Sequence, residues 1–203
     1  MWSRVVANVR AIWALRGDLD AHGGDVAVLK ADLVGMNARA ELRPRLAAVR
    51  DYRPDIDMEA LRALPDGTFG RETARFLDDN GLTFVAVSDA VAPEIRERNA
   101  YGIRYAATHD LFHVLLGYGP DWVGEMGVLA FTCGQDYTRT LWVQAFFAWL
   151  LYPVLSLGRF GALYRAWTAG VAQGRAAPFL LAERLEDLFD RPLDEVRARY
   201  GLA

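Results

Sequence analysis

Residues 109–125 read HDLFHVLLGYGPDWVGE. On a helix, positions i and i+4 stand about 40° apart around the axis, and i+1 lies about 100° from i. His109, Asp110 and His113 therefore share one arc, and their side chains can converge on one ion. Imidazole and carboxylate together suit Zn, Fe, Mn or Ni better than Ca. A fourth ligand is expected, and Glu125 is the candidate. A continuous helix would carry it roughly 18 Å beyond His113. The run Gly117-Tyr118-Gly119-Pro120 breaks that helix, and Asp121 is a good N-cap for the next. The chain can therefore double back and return Glu125 to the same ion. Four such ligands leave open positions on a metal of five or six coordination, which is what catalysis needs. Asp110 has a second reading, as the partner that orients an imidazole. A surface cluster of ionisable groups is the alternative to any metal site.

Outward from this stretch the periodicity is helical almost everywhere, which predicts an all-α fold. Pro93 opens a helical stretch that runs to Leu116, with a break near Gly102. Upstream, Pro65-Asp66-Gly67 forms a turn and Thr68 is an N-cap. Phe69, Thr73, Phe76 and Leu77 then make an apolar stripe that ends at Asn80-Gly81. Residues 57–64 read as a short helix, and residues 39–50 as a helical segment in which Pro44 sits in a first turn or causes a break. Thr83–Val87 is the nearest thing to a strand, and is short enough to be an extended connector. The tail reads as a helix with Asp190 as N-cap and Pro192 in its first turn, carrying Leu193, Val196 and Tyr200 and ending at Gly201.

Residues 141–157, LWVQAFFAWLLYPVLSL, are the most apolar stretch. Arg139 and Arg159 bracket a run barely long enough to cross a bilayer. A buried core helix, or one facing an apolar ligand groove, is the preferred reading. At the N-terminus Trp2, Val5, Val6, Val9, Ile12 and Trp13 share a helix face. Arg4 and Arg10 interrupt the apolar residues, so this is no signal peptide. It reads as an amphipathic helix that either packs on the domain or lies in a membrane interface. The expected division is an N-terminal helical segment, 1–56, and a core helical domain, 57–203.

The formal net charge is −3, which gives no general drive toward nucleic acid. The basic residues are arginines except Lys30, a compositional bias. Cys133 is the only cysteine, so an intrachain disulfide or a thiolate zinc cluster is excluded. It reads as a buried structural thiol. His22, beside Gly23-Gly24, reads as a loop residue, and Asp136 as a solvated acid that is a weaker ligand candidate.

With these residues in hand, HDLFHVLLGYGPDWVGE closely resembles the H-D-x-x-H motif, followed twelve positions on by Glu, of the coenzyme Q biosynthesis protein 4 family. LPDGTFGRETARFLDDNGL, QGRAAPFLLAERLEDLF and LDEVRARYGL resemble three further family stretches, so the likeness covers about residues 57–202. The resemblance implies an all-helical fold in which His109, Asp110, His113 and Glu125 bind one divalent metal, zinc first, with iron or manganese next. It implies oxidative decarboxylation at ring carbon 1 of a polyprenylated 4-hydroxybenzoate-derived precursor, with hydroxyl replacing carboxylate. An older reading of the family is a non-catalytic scaffold that binds isoprenoid lipid.

The implied partners are the polyprenylated aromatic precursor, a membrane surface, other ubiquinone biosynthetic enzymes and further copies of the chain. Eukaryotic members sit peripherally on the mitochondrial inner membrane. No transit peptide is read here, so a bacterial member, cytoplasmic and peripheral on the inner membrane, is expected. After Glu125 the chain reads MGVLAFTC, without the charged residues of the eukaryotic helix. That departure bears on assembly with partners. A metal-dependent phosphohydrolase would need further separated His and Asp ligands, and His22 is the only other histidine.

Overall fold

Short polar side chains start five of the helices. Asp18 accepts a hydrogen bond from the Ala21 amide, Asp57 from Glu59 and Ala60, Thr68 from Arg71, Asn99 from Gly102, and Asp121 from Gly124. Each occupies one of the amide donors that a helix leaves unpaired at its start. The structure, a computed structural model, describes residues 2–49 and 51–202. Arg50 and the side chain of Trp2 lie outside the described residues.

Among the described residues eleven α-helices run in order: α1 (Trp2–Leu15), α2 (Leu19–Leu33), α3 (Arg43–Ala47), α4 (Met58–Ala63), α5 (Phe69–Asn80), α6 (Pro93–Arg98), α7 (Ala100–Leu116), α8 (Trp122–Gly134), α9 (Thr140–Leu155), α10 (Phe160–Ala176) and α11 (Leu193–Arg199). Short 3₁₀ turns occur at 40–42, 180–182 and 185–188. The described residues contain no strand, and an isolated antiparallel bridge joins Thr68 to Pro192. Thr83–Val87 is an extended connector. The fold is all-α, as the periodicity predicts.

Several local expectations change. The break before α7 falls at Asn99 rather than Gly102, because the Asn99 side chain caps the Gly102 amide and restarts the helix. Pro44 sits in the first turn of α3. Asp190 is not a cap: Pro192 takes that position before α11. His22 lies inside α2, at a kink (φ −126°, ψ 15°) where its Nδ1 faces the buried Asp25 at 2.8 Å. The sequence reading left α10 unassigned. α1 packs on α2 through Asn8, whose amide donates to Asp32 at 2.7 Å, and this turns Val6 and Trp13 outward.

α9 is not a buried core helix; as in the other half of the expectation, Val143 and Phe147 face an apolar groove. Leu141, Ala145 and Ala148 face inward, while Phe146, Phe147, Leu150 and Leu151 are each more than half exposed. No helix among the described residues is long and apolar enough to cross a membrane.

α7, α8 and α10 form the centre. The closest pairing is α8 on α10, built on glycine: a Cβ on Gly174 would lie 2.2 Å from the Phe131 carbonyl oxygen, and one on Gly170 2.4 Å from that of Gly127. Backbone meets backbone, and nothing can be inserted. The back of α7 is fixed by Arg104, which is fully buried. It forms a bidentate pair with Glu186 (2.9 and 3.2 Å) and donates to the Glu183 carbonyl at 2.9 Å. Cys133 is buried, and burial pushes its thiol up to about 12, as befits packing rather than reactivity.

Two stability outcomes follow from this packing. Alanine is normally the better helix former, by roughly 1 kcal/mol over glycine. At Gly174 the sign inverts: Gly174→Ala loses about 1–3 kcal/mol through overpacking, whereas Gly161→Ala, whose methyl would meet only the Arg165 guanidinium at an ordinary 3.5 Å, does not, by urea denaturation. Glu186→Ala strands a buried guanidinium and lowers stability by about 3–5 kcal/mol, while the apolar pair Arg104→Met with Glu186→Leu loses clearly less.

Candidate metal centre

α7 ends in a left-handed residue, Gly117 (φ 72°), and the two bonds that close the turn run from Tyr118 N to the His113 carbonyl (3.0 Å) and from Gly117 N to the Val114 carbonyl (3.3 Å). This paired pattern stops a helix and redirects the chain. The reversal is tight because α8 offers glycines where it is crossed. The Tyr118 ring lies where a Cβ on Gly127 would be, 2.4 Å from its nearest atom, and the Gly119 carbonyl crowds Gly124 in the same way. Arg197 from α11 donates to the last carbonyls of α7, Val114 (3.0 Å) and Leu115 (2.9 Å), a favourable position for a cation at a helix C-terminus.

The outcome is convergence. The His113 Nε2 lies 3.3 Å from Glu125 Oε1, and the His109 Nε2 lies 3.7 Å from Glu125 Oε2. One donor atom from each of the three falls within 4.8 Å of the others. The remaining ring nitrogens are held from behind. His113 Nδ1 faces the Tyr118 carbonyl at 3.3 Å, and His109 Nδ1 faces Asp110 Oδ1 at 3.4 Å. Protonation of each Nδ1 toward its oxygen leaves the Nε2 lone pair directed at the shared space, the tautomer a metal ligand needs. Asp110 is therefore placed behind His109 and not among the three converging donors.

The rings are wedged. Phe76 stacks on His113 (5.5 Å, 20°), and Tyr105 meets His109 edge-on (5.7 Å, 72°). His113 is 1% exposed at its side chain, whereas His109 and Glu125 are 28% and 29% exposed, so the donor set is open on one side. Burial pulls the His109 pKa down, but the Asp110 hydrogen bond and the Glu125 charge outweigh it and leave it above the ordinary imidazole value. Burial raises Glu125, yet His113 and the charge of both imidazoles win and hold it below the usual carboxylate range. Glu125 is thus ionised at neutral pH. Two imidazoles and a carboxylate with converging lone pairs fit a divalent transition metal of borderline softness.

Tyr105 also belongs to an apolar groove of 530 Å³ between α2, α7 and α9, lined by Ala31, Val34, Met36, Val143 and Phe147. The ring that wedges His109 is therefore also part of the groove wall. Tyr152 of α9 packs at a tilt against Trp122 (5.1 Å, 49°). Burial raises the Tyr152 hydroxyl, with the Glu125 charge adding to it. Sequence reading did not find Tyr105, Tyr118 or Tyr152. Tyr105 carried a usable signal, since it precedes His109 by one helical turn as His109 precedes His113; the other two depend on the fold.

The weaker candidates lie elsewhere. Asp136, at positive φ (52°) after α8, pairs with Arg39. His22 is engaged with Asp25, which also accepts from the Ser88 amide and hydroxyl, both at 2.7 Å. Among the described residues, His109, His113 and Glu125 are the group that converges.

Residues 41–203 match the family model described as coenzyme Q (ubiquinone) biosynthesis protein Coq4. The chain is 30% identical over 198 residues to the mitochondrial ubiquinone biosynthesis protein COQ4 homologue of Bos taurus, covering 90% of this chain and 72% of that protein. With the Danio rerio homologue it shares 31% over 189 residues (88% and 69% covered), and with the human one 32% over 168 residues (78% and 61%). Its fold is similar to the crystal structure of a ubiquinone biosynthesis protein from Nostoc punctiforme, with a TM-score of 0.68, 22% identity, and coverage of 98% of this chain and 96% of that one. With the model spanning most of the chain and the vertebrate relatives spanning much of theirs, the protein belongs to the Coq4 family of coenzyme Q (ubiquinone) biosynthesis proteins.

Proposed function

We propose that this Coq4 protein holds one divalent metal on His109, His113 and Glu125. Its proposed role is the oxidative decarboxylation of a polyprenylated 4-hydroxybenzoate-derived ring. In that reaction the carboxylate on ring carbon 1 leaves as carbon dioxide and a hydroxyl takes its place, a two-electron oxidation that balances with water as the source of the new oxygen and dioxygen accepting the two electrons and two protons as hydrogen peroxide. The observation that carries the reading is Tyr105, which lines an apolar groove and packs edge-on against His109 of a three-donor site that is open on one side.

A prenyl tail fits the groove because its lining is almost wholly apolar, and burial of such a chain stabilises the complex by roughly 25 cal/mol per Å². A tail lying along Val143 and Phe147 directs the ring past Tyr105 toward His109 and Glu125. When bound, the metal supplies Lewis acidity that stabilises negative charge on a substrate oxygen. The protein's part is positional. Tyr118 and Asp110 hold the two imidazoles in one tautomer, Phe76 and Tyr105 fix their planes, and ionised Glu125 balances the charge. Low dielectric around a prearranged set of dipoles is what makes such positioning effective.

A non-catalytic carrier of prenylated intermediates would use the same groove, but its metal would be structural and closed off by protein. The partial exposure of His109 and Glu125 favours the catalytic reading.

Metal titration by calorimetry should separate the roles of the four motif residues. His113→Ala or Glu125→Ala abolishes binding of Zn, Mn or Fe(II), whereas Asp110→Asn retains it, weakened about 10–100-fold, as an outer partner would; loss as complete as that of His113→Ala would make Asp110 a ligand. Protons compete for the imidazoles, so affinity should fall as pH drops through the raised pKa of His109, about tenfold per pH unit for one displaced proton, while Glu125 remains ionised.

Turnover of a prenylated carboxyphenol by the purified protein, supplied with metal and oxygen, tests the reaction itself. Product should appear with the native chain and not with Glu125→Ala. A folded Glu125→Ala protein that restores quinone synthesis to a dependent strain would establish the carrier reading instead.

A further inference from the structure

α9 turns an apolar arc to the outside. At about 100° per residue, the exposed side chains from Trp142 through Phe146, Leu150 and Phe147 to Leu151 and Leu155 span roughly 220° of the helix circumference. A helix that packs on a single neighbour needs a stripe little wider than about 100°. Soluble surfaces seldom carry contiguous apolar area on this scale without a function for it. The arc continues into the turn to α10. There Leu157 is held at positive φ (53°), a backbone region that L-residues avoid, and its side chain is 93% exposed. Phe160 and Tyr164 extend the apolar surface beyond it.

Charge on this part of the chain has one sign. No Asp or Glu occurs between Asp136 and Glu183, while Arg139, Arg159 and Arg165 stand at the two ends of α9 and on the first turns of α10, all exposed. Arg159 is engaged with Asp121 at 2.9 Å. The groove is continuous with the arc: Val143 and Phe147 line the groove and are also 57% and 61% exposed on the outer face.

We propose that α9 and its Leu157 tip insert into one leaflet of an anionic phospholipid bilayer, and that the groove opens sideways into that leaflet between α2 and α9. The apolar arc lies among acyl chains, the arginines sit at the headgroup level, and a prenylated lipid slides past Val143 and Phe147 without crossing water. The insertion rests on the shape and charge of this face alone; only the identity of the lipid in the groove rests on the function proposed above. The width of the arc argues against a second copy, which would cover a narrower stripe, and the exposed arginines beside it, of which only Arg159 pairs with an acid (Asp121) among the described residues, argue for anionic headgroups.

Leu157→Cys carries an environment-sensitive NBD probe to the tip, since Cys133 is buried and does not compete for label. Vesicles of phosphatidylcholine with phosphatidylglycerol should raise and blue-shift its emission severalfold. The same probe at Asp55→Cys, on the rim of the polar cavity lined by Arg104 across α7, should not respond. Phe147→Glu with Leu151→Glu, both on the surface and expected to fold, should abolish co-sedimentation with vesicles while circular dichroism and melting stay native. Arg165→Glu should reduce the response to phosphatidylglycerol but not the shift once bound. A tip probe that ignores vesicles overturns the proposal. So does a probe already blue-shifted in vesicle-free solution where sedimentation finds two copies, because the face would then be a dimer interface. Metal affinity measured on the same variants is independent of either outcome, so this proposal and the catalytic one can fail separately.

Discussion

The helix stop at Gly117 is the constraint on which the site depends. Two backbone bonds reverse the chain after α7, and one of the acceptors is the carbonyl of His113 itself. The residue that turns the chain, Tyr118, then uses its own carbonyl to hold the His113 ring. Main chain and side chain of one candidate ligand, His113, are therefore set by a single turn. That turn carries Glu125 back across the helix gap to within hydrogen-bonding distance of the same ring. A residue with a Cβ at 117 would strain the left-handed backbone, and bulk at Gly127 would displace Tyr118. Either change would open the triad without touching a ligand.

Around this turn the molecule is stiff where position matters and apolar where a lipid would pass. Behind α7, the buried Arg104–Glu186 pair fixes the helix against the C-terminal segment. Such a pair contributes little net stability, because desolvation offsets most of its attraction, but it tolerates only one geometry. The α8–α10 contact, glycine against backbone, holds α8 and hence Glu125 at a set height. In front, α9 contributes Tyr152 to the neighbourhood of Glu125 and leaves most of its circumference outside the protein core. Chemistry on one face of α7–α8 and apolar surface on the adjoining helix are what a protein acting on a prenylated ring requires.

Much of this was legible in the residues. The caps Thr68 and Asp121 and the stops at Gly81 and Gly117 were readable because each acts through bonds to neighbours a few positions away. The i, i+4 histidines and the return of Glu125 were readable for the same reason: helix geometry and one breaker settle them locally. α10 escaped the reading because Gly170 and Gly174 lower its helix propensity and leave gaps in its apolar face that make sense only once the α8 backbone is laid against them. For α9 the buried-core alternative failed and the groove-facing one held, because apolarity alone does not say which side of a boundary a helix occupies. The same phenylalanines serve a core or a bilayer.

By itself, then, the sequence determined an all-helical chain with two imidazoles and an acid poised on consecutive helices, since those facts follow from periodicity, caps and one turn. Tertiary structure decided the rest: that Asp110 stands behind His109 and not among the converging donors, that Tyr105 both lines the groove and packs against His109, and that α9 turns most of its apolar side chains outward. Each of these depends on which distant segment packs against a given face. Packing partners are chosen by the shape and burial of the whole chain, and no local pattern encodes them.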